Sequence, residues 1–572
     1  MAFLLFCFVL LSKRVIFEKI IVGYVYCNAL MISILLVSLL KKIERVMLLC
    51  VALICSMNFV AQGDFVIKDY VQLNAVASAG EKAPFWLVTN RNGLSSLDTN
   101  NGYIRYGVEL DGCIDNNGYW KYSSGIDLKT GYNQSFNPIV HQLYADVSYR
   151  WLNLSIGAKE RVAEMRNFST LAGVNENRVF NSVYSLSFNG LGELGTGGLV
   201  CSGNSSPVPQ IRLGVPEYVT IKGTNSLLKL RGHIAYGIFL DSRFQENFTA
   251  INPYAKYNKF ALYHSKAFFM RVGDETRFPL VAEGGLEMHS QFGGDVYTHA
   301  KGKYLSMPTR FKDFLKAFIP AGGDELVPFT EQSNITGNQV GNWHMALTYH
   351  TKPVDVRLYG EHLFEDFSQL FFIEYQNNIN NKRTLVYYPW RDIMLGVSIK
   401  NKSGFLKFIS NISYEYVSTY DQSGACYNDP NDYFIEQMDG WDNYYNHAIY
   451  SGWHYYGMGI GNPLVFSPLY NKDGSLEFKA NRMRAHHVGV NGSFGRKKEF
   501  LYRLMYTYSE NWGTYINPFF DKKYTTSLLA DFIYSPNEKS WLISASIAHD
   551  QSNYIGNNTG VMLSFVKVGL LK

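Results

Sequence analysis

The chain has 572 residues, a formal net charge of +5, 18% charged and 15% aromatic side chains, 49 Gly and 17 Pro. A soluble domain carries about 25% charge, so composition argues against an ordinary water-soluble globule, and the net charge is too small to argue for nucleic acid as a partner. A wall that meets lipid on one side needs few charges, aromatic girdles and Gly-rich turns; a large exported β-sandwich or propeller is the soluble alternative.

Two apolar stretches open the chain. Ile20–Leu40 has transmembrane length. Lys41-Lys42-Ile43-Glu44-Arg45, the apolar run Val46–Cys55 and then Val60-Ala61-Gln62-Gly63 supply the basic, apolar and small-residue regions of a secretory signal. Residues 1–61 are expected to be a leader, with Met31 or Met47 as the true start, or else Ile20–Leu40 is a genuine membrane helix. Residues 62–572 are expected to form a single exported domain. Four cysteines fall in the leader, leaving Cys113, Cys201 and Cys426 widely spaced, so neither a disulfide framework nor a cysteine metal site is expected.

The exported part alternates with a period of two. Leu143, Ala145, Val147, Tyr149 and Trp151 interleave with Gln142, Tyr144, Asp146, Ser148 and Arg150. Ile104, Tyr106 and Val108 interleave with Arg105, Gly107 and Glu109, and the pattern returns in Trp343–His350 and Val354–Glu361. Such strands have one apolar and one polar face. Turn signals such as Asp115-Asn116-Asn117-Gly118 and Lys472-Asp473-Gly474 punctuate them. Asn74–Ser96 reads as a polar, Gly-containing lead into strands. In Thr309–Ile319, Phe311, Phe314, Leu315 and Phe318 fall at helical spacing, which predicts one short amphipathic helix in a loop or at a rim. The fold class expected is all-β: a transmembrane antiparallel barrel, with length alone supporting roughly 16 to 20 strands.

Ordered motifs carry a family resemblance: Ser202-Gly203-Asn204 with Pro216-Glu217-Tyr218, Glu283-Gly284-Gly285-Leu286-Glu287, Tyr359-Gly360-Glu361-His362, Asp442–His447, Gly459–Leu464, Ala485-His486-His487 and Asn511–Tyr515. The chain resembles the Wzi capsule-assembly family from about Tyr70 to Leu571. The resemblance implies an outer-membrane barrel of about eighteen strands acting as a surface lectin that tethers capsular polysaccharide, with outer-membrane lipid and the capsule export machinery as further partners. The chain departs from the pattern in lacking an N-terminal helical module and a terminal aromatic residue.

Long loops of such barrels are extracellular, and the segment Tyr420–Pro463 is the richest in rings and amides. Trp441, Asp442, Asn443, Tyr444, Tyr445, His447, Trp453 and Tyr455 are the candidate glycan contacts, offering flat faces to sugar C–H surfaces and polar groups to hydroxyls; a place in an interfacial girdle or a plug is the alternative. Glu283 and Glu287 share one strand face, as do Glu361 and Glu365, and with Arg357 they are read as a polar lumen network rather than a glycosidic acid pair. Arg271, Arg277 and Arg391 are further partners for these acids. His486-His487 points to opposite faces and makes a poor metal site. No phosphate-cradling loop, nucleophile elbow or cofactor motif occurs, so no catalytic residue, metal or cofactor is assigned. Three functions remain open at this point: a capsule lectin, a diffusion porin, and a membrane-embedded hydrolase.

Overall fold

The computed structural model describes residues 65–570, apart from 116, 135–139, 162–193, 320–336, 366–372, 378–382, 388–389, 403–405, 423–441, 496–498 and 537–539. The expected leader, Cys426 and Trp441 lie outside the described residues.

Eighteen strands form one sheet. In chain order they are β1 (Phe65–Ala79), β2 (Asn100–Cys113), β3 (Trp120–Tyr132), β4 (Val140–Tyr149), β5 (Leu152–Ala158), β6 (Gln210–Thr220), β7 (Leu228–Ile238), β8 (Leu262–Val272) and β9 (Leu280–Phe292). The second half continues with β10 (Asn338–His350), β11 (Val354–Glu365), β12 (Ile393–Asn401), β13 (Ile409–Ser418), β14 (Met483–Phe494), β15 (Phe500–Gly513), β16 (Pro518–Tyr534), β17 (Trp541–Ser552) and β18 (Asn558–Leu570). Each strand pairs with the next, and β18 pairs antiparallel with β1 from Lys68↔Leu570 to Ala79↔Thr559, so the sheet closes. Closure removes both edges, which is what lets a sheet sit in a medium that cannot hydrogen-bond its backbone.

The wall is inside-out relative to a soluble sheet. On β2, Ile104 and Tyr106 are exposed whereas Arg105 and Glu109 are buried; on β10, Met345, Leu347 and Tyr349 are exposed whereas His344 and Thr348 are buried. The exposed face carries apolar side chains right around the wall, including Leu143, Ile211, Phe268, Leu358, Leu395, Leu528, Ile547 and Leu563. This is the band a barrel presents to lipid.

The two rims differ. Turns at the rim that carries the end of β18 are short (150–151, 221–227, 351–353), whereas the opposite rim carries every long connection, among them 159–209, 239–261, 293–337 and 419–482. Short turns are periplasmic and long loops extracellular. An aromatic ladder runs along the short-turn rim, Phe494–Phe500–Tyr534–Trp541, with centroids 5.2, 5.0 and 5.9 Å apart, as an interfacial girdle requires.

Asn74–Ser96 does not merely lead into strands. Its first part is the end of β1, and the rest turns inward with a one-turn helix α1 (Phe85–Val88) whose four residues are buried. Phe85 N–H donates to Asp550 Oδ2 at 2.8 Å and Trp86 Nε1 to Thr507 Oγ1 at 3.1 Å, pinning the segment to inward-facing wall residues. Cys113 and Cys201 are not joined in a disulfide.

Candidate functional site

The lumen is built from the polar positions of the alternation. Near the periplasmic half, Glu283 takes Arg271 Nε on Oε1 at 2.6 Å and Arg357 on Oε2. Higher up the same strand, Glu287 is held by His289 Nε2 at 2.8 Å and His344 Nε2 at 3.1 Å, and His344 Nδ1 lies 3.6 Å from Glu361 Oε1. Glu361 Oε2 accepts from Asn342 and from the Leu199 backbone N–H, each at 2.8 Å. The four lumen residues therefore sit in two clusters, Glu283 with Arg357 and Glu287 with Glu361 across His344. Arg277 and Arg391 belong to neither: they pair with Asp274 and Asp421. A charge taken out of water is costly unless paired and hydrogen-bonded; Glu283 meets that demand through two guanidiniums and Glu287 through two imidazoles.

A third cluster lies on β2–β5. Asp127, His141 and Glu160 bring ligand-type atoms within 4.8 Å of one another. Arg105 bridges Asp127 Oδ2 and Glu160 Oε1, and His141 Nε2 meets Glu160 Oε1 at 2.8 Å, so a guanidinium already stands between the two carboxylates.

Above these clusters, inward-folded segments fill the extracellular half of the lumen. Thr196 donates from N and Oγ1 to Glu415 Oε2 at 2.7 and 2.8 Å, and Asn462 Nδ2 donates to Thr196 Oγ1 at 3.0 Å, tying residues 194–209 and 442–482 to each other and to the wall.

The structure places most of the glycan-contact candidates in the interior of this plug. Trp453 is 0% exposed; its Nε1 donates to Val200 O at 2.8 Å, and its ring lies 5.9 Å from that of His289, nearly perpendicular. Tyr444 donates to Asp392 Oδ2 at 3.0 Å, Tyr445 donates from its backbone N–H to Glu365 Oε1 at 2.6 Å and from its hydroxyl to Leu199 O, and both rings are fully buried. Gly461 carries no side chain where Tyr445 approaches; a Cβ there would strike the tyrosine hydroxyl. Tyr455 packs edge-on to Phe239 at 5.7 Å. His447 accepts from Ile449 N–H at 3.1 Å, and burial pushes its imidazole down to about 3. The rings of Tyr444, Tyr445, Trp453 and Tyr455 form a core, and as placed they offer no face to a sugar. Asp442, Asn443 and His447 sit half-buried at its edge, where Asp442 N–H donates to Gln422 O at 3.1 Å and Asn443 Oδ1 accepts from Asn481 at 2.6 Å.

A cavity of about 90 Å³ lies below the plug, lined by Lys159, Arg161, Arg212, Ser202, Tyr263 and His289 among others. It has room for a few waters and is far below the ≈300 Å³ at which small-ligand pockets begin.

Beside Asp442, on the outward face of the extracellular rim, stands a group of rings and cations that the composition of the long loop did not reveal. Tyr420 and Trp512 pack edge to face at 4.6 Å. The Arg482 guanidinium lies 4.6 Å from the Tyr420 centroid and 3.8 Å from that of Tyr515, and its Nε donates to Tyr420 O at 3.0 Å. Arg484 sits 4.2 Å over Tyr420, and Lys522 lies 5.3 Å from Trp512 and 4.9 Å from Tyr524. Glu510 pairs with Lys522 at 2.9 Å, and the Tyr515 hydroxyl donates to Asp421 O at 2.9 Å. Cations held over rings are fixed in position while keeping an open side. The signal in the sequence was Arg482-x-Arg484, two cations on one strand face, opposite Trp512 on the neighbouring strand. His486, next along that outward face, meets Tyr414 Oη at 2.9 Å, whereas His487 points inward to Thr507 Oγ1 at 2.7 Å.

No protein-family model and no curated protein matches the sequence. Among solved structures the chain is similar to Wzi of Escherichia coli, described as an outer membrane protein involved in group 1 capsule assembly and a carbohydrate binding β-barrel. The identity is 11%, over 90% of this chain and 86% of that one, with a TM-score of 0.47. OccK3 (OpdO) of Pseudomonas aeruginosa gives 10% identity, 90% and 98% coverage and a TM-score of 0.42. OpdL of the same organism gives 9%, 89% and 99%, and 0.41. At such values no function passes from one chain to another. The closed wall, its lipid-facing band and its girdle stand on this chain's own residues, and they make it an outer-membrane β-barrel.

Proposed function

We propose that this barrel is a surface lectin that binds and tethers capsular polysaccharide non-covalently at the outer membrane, the role the motif resemblance to the Wzi family implies. The observation that carries the reading is the ledge of Tyr420, Trp512 and Tyr515 at the extracellular rim, over which Arg482, Arg484 and Lys522 are gathered. Flat rings suit the C–H faces of pyranoses, and guanidinium forks suit uronate carboxylates, so the polymer this ledge fits best is acidic. Asp442 and Asn443, at the neighbouring edge of the plug, complete the proposed contact set by engaging hydroxyls. Each ledge holds a few sugars weakly, and one long chain crossing many barrels is retained by avidity.

The plug supports the same reading against a diffusion porin, because the buried rings of Tyr444, Tyr445, Tyr450 and Trp453 occupy the space that a solute would use. The test is binding of purified, detergent-solubilised protein to capsular polysaccharide from its own strain, with an unrelated neutral polymer as control. Selective retention of the capsular polymer is expected. Equal retention of both polymers, or of neither, overturns the lectin reading, and a stable open conductance in planar bilayers then favours the porin.

A further inference from the structure

The ledge has a height on the barrel as well as a face. On β14, β15 and β16 the register sets Phe494 opposite Phe500 and Phe500 opposite Tyr534, which is the periplasmic girdle, and sets Arg484 opposite Glu510 and Glu510 opposite Tyr524. On each strand the second rung lies ten residues beyond the first. At about 3.4 Å per residue and a tilt of about 40°, ten residues rise about 26 Å, which matches the ≈25 Å apolar band of a membrane barrel. The outward positions between the rungs include the exposed Val488, Leu504, Tyr506, Leu528 and Phe532, and Asp, Glu, Lys and Arg are absent from these positions on all three strands. Arg484, Glu510 and Tyr524 therefore stand at the outer edge of the hydrocarbon layer.

Arg482, Trp512 and Lys522 come two residues further out along the same faces. Arg482 is tied to the neighbouring strand by its N–H on Gly513 O at 3.0 Å and by Trp512 N–H on its own carbonyl at 2.9 Å. Two residues add about 5 Å of height, so the three cations lie at the level of lipid headgroups and on the lipid-facing side of the wall. Rings mark the same interface: Tyr508 lies 6.4 Å from Tyr524, and Tyr416 of β13 lies 5.3 Å from His486. The acids nearby are engaged. Glu510 accepts from Lys522 at 2.9 Å and from the Tyr508 hydroxyl at 3.1 Å, and Asp421 lies 3.6 Å from Arg391. Among the described residues Arg482 and Arg484 form no ion pair; rings hold both, and Arg484 is exposed.

We propose that the ledge takes its acidic glycan in membrane-anchored form: the ligand is an acidic glycolipid of the outer leaflet, whose first sugar lies on Trp512 and whose carboxylate is met by Arg482 and Arg484. This rests on the reading of the ledge as an acidic-glycan site and narrows it to the membrane-proximal end of the glycan. The acyl chains run down the apolar positions Val488, Leu504 and Leu528 directly below. They hold the sugar at the height of the guanidiniums, which raises its effective concentration there. A soluble sugar of the same charge has to enter the headgroup layer without that hold and binds more weakly.

The test is native mass spectrometry of the full barrel released from phosphatidylcholine nanodiscs that carry glucuronosyl-dioleoylglycerol or, separately, glucosyl-dioleoylglycerol, which has the same chains and an uncharged sugar. The parent is expected to retain the acidic glycolipid about tenfold better. Arg482→Gln with Arg484→Gln is expected to abolish that preference and leave the uncharged glycolipid retained as before. Methyl glucuronide, the same acidic sugar without chains, is expected not to displace the glycolipid at equal concentration. No preference in the parent, a preference that survives in the double variant, or displacement by methyl glucuronide would overturn the inference. Selective binding of delipidated capsular polymer by a barrel with no glycolipid preference overturns this inference alone. A glycolipid preference in a barrel that binds no capsular polymer overturns the capsule reading and leaves the glycolipid site standing.

Discussion

The indole of Trp453 lies 6.2 Å from the ring of Tyr263 and nearly parallel to it, at 17°, so a loop residue is stacked on an inward-facing residue of the barrel wall. This contact joins the plug to β8, and its two rings are at most 5% exposed. Burial of this kind makes the plug a folded part of the barrel rather than a loose lid.

Removing that stack has two readouts. Trp453→Ala is expected to destabilise the plug by about 3–5 kcal/mol, the cost of truncating a large buried ring and leaving a cavity, and to free the Val200 carbonyl it now caps. Thermal unfolding in detergent measures the first effect. Planar-bilayer recording measures the second: parent barrels are expected to be nearly closed and Trp453→Ala barrels to flicker open. Parent barrels that conduct as freely as the variant would show that the plug does not seal.

The lumen pair is expected to be unforgiving of half-removal. Glu283→Gln leaves the Arg271 and Arg357 guanidiniums without their shared carboxylate. Breaking a buried pair from one side typically costs about 3–5 kcal/mol, so the variant should unfold at markedly lower denaturant than the parent. Restoring part of that loss by adding Arg357→Met is the expected signature of an unpaired charge, as against lost packing.

Acid should loosen the plug before it opens the wall. Burial pushes His447 and His454 each down to about 3 from an ordinary value near 6.5. Over that interval the unfolded chain binds protons that the folded chain refuses, so their contribution to stability is complete above 6.5 and is lost as pH falls toward 3. Asp241, whose Oδ2 lies 4.0 Å from His454 Nδ1, runs the other way: burial raises it to about 6 from 3.8, so the folded state holds the proton longer, and its contribution fades as pH rises from about 4 to 6. His447→Gln should flatten the acid limb of a melting-temperature profile, and Asp241→Asn should raise the plateau above pH 6 relative to the parent. An acid limb unchanged in His447→Gln would show that the imidazole is not buried in solution.

Alternation made much of the wall legible, because a strand between lipid and a polar lumen must change character at every residue. Gln142–Trp151 was readable as β4 with its turn, and His486 and His487 as opposite faces of one strand, for that reason alone. The amphipathic turn of Phe311, Phe314, Leu315 and Phe318 marked the helix that forms at Phe311–Phe318, although spacing could not say that its partners would be Tyr236 and Phe292 on the outer wall. The plug was not legible. Tyr444, Tyr445 and Trp453 read as an adhesive loop because a segment so rich in rings looks the same whether it faces sugars or a cavity. What decides is the width of an eighteen-stranded lumen, too wide for side chains to span, which holds either water or, as here, chain from the loops. The ledge escaped notice for the converse reason: Tyr420, Arg482, Arg484, Trp512 and Lys522 come from three separate stretches and meet only when β13 to β16 stand side by side.

The central claim is that the rim ledge holds an acidic capsular polymer, and the most direct measurement is polymer binding by the parent beside an Arg482→Gln, Arg484→Gln double variant whose melting temperature matches it. The expected result is selective, salt-sensitive binding by the parent and a loss of about tenfold or more in the variant, since two guanidiniums over Tyr420 and Tyr515 are removed. Equal binding by the two proteins, or binding that ignores salt, would contradict the account and place the polymer contacts elsewhere on the barrel.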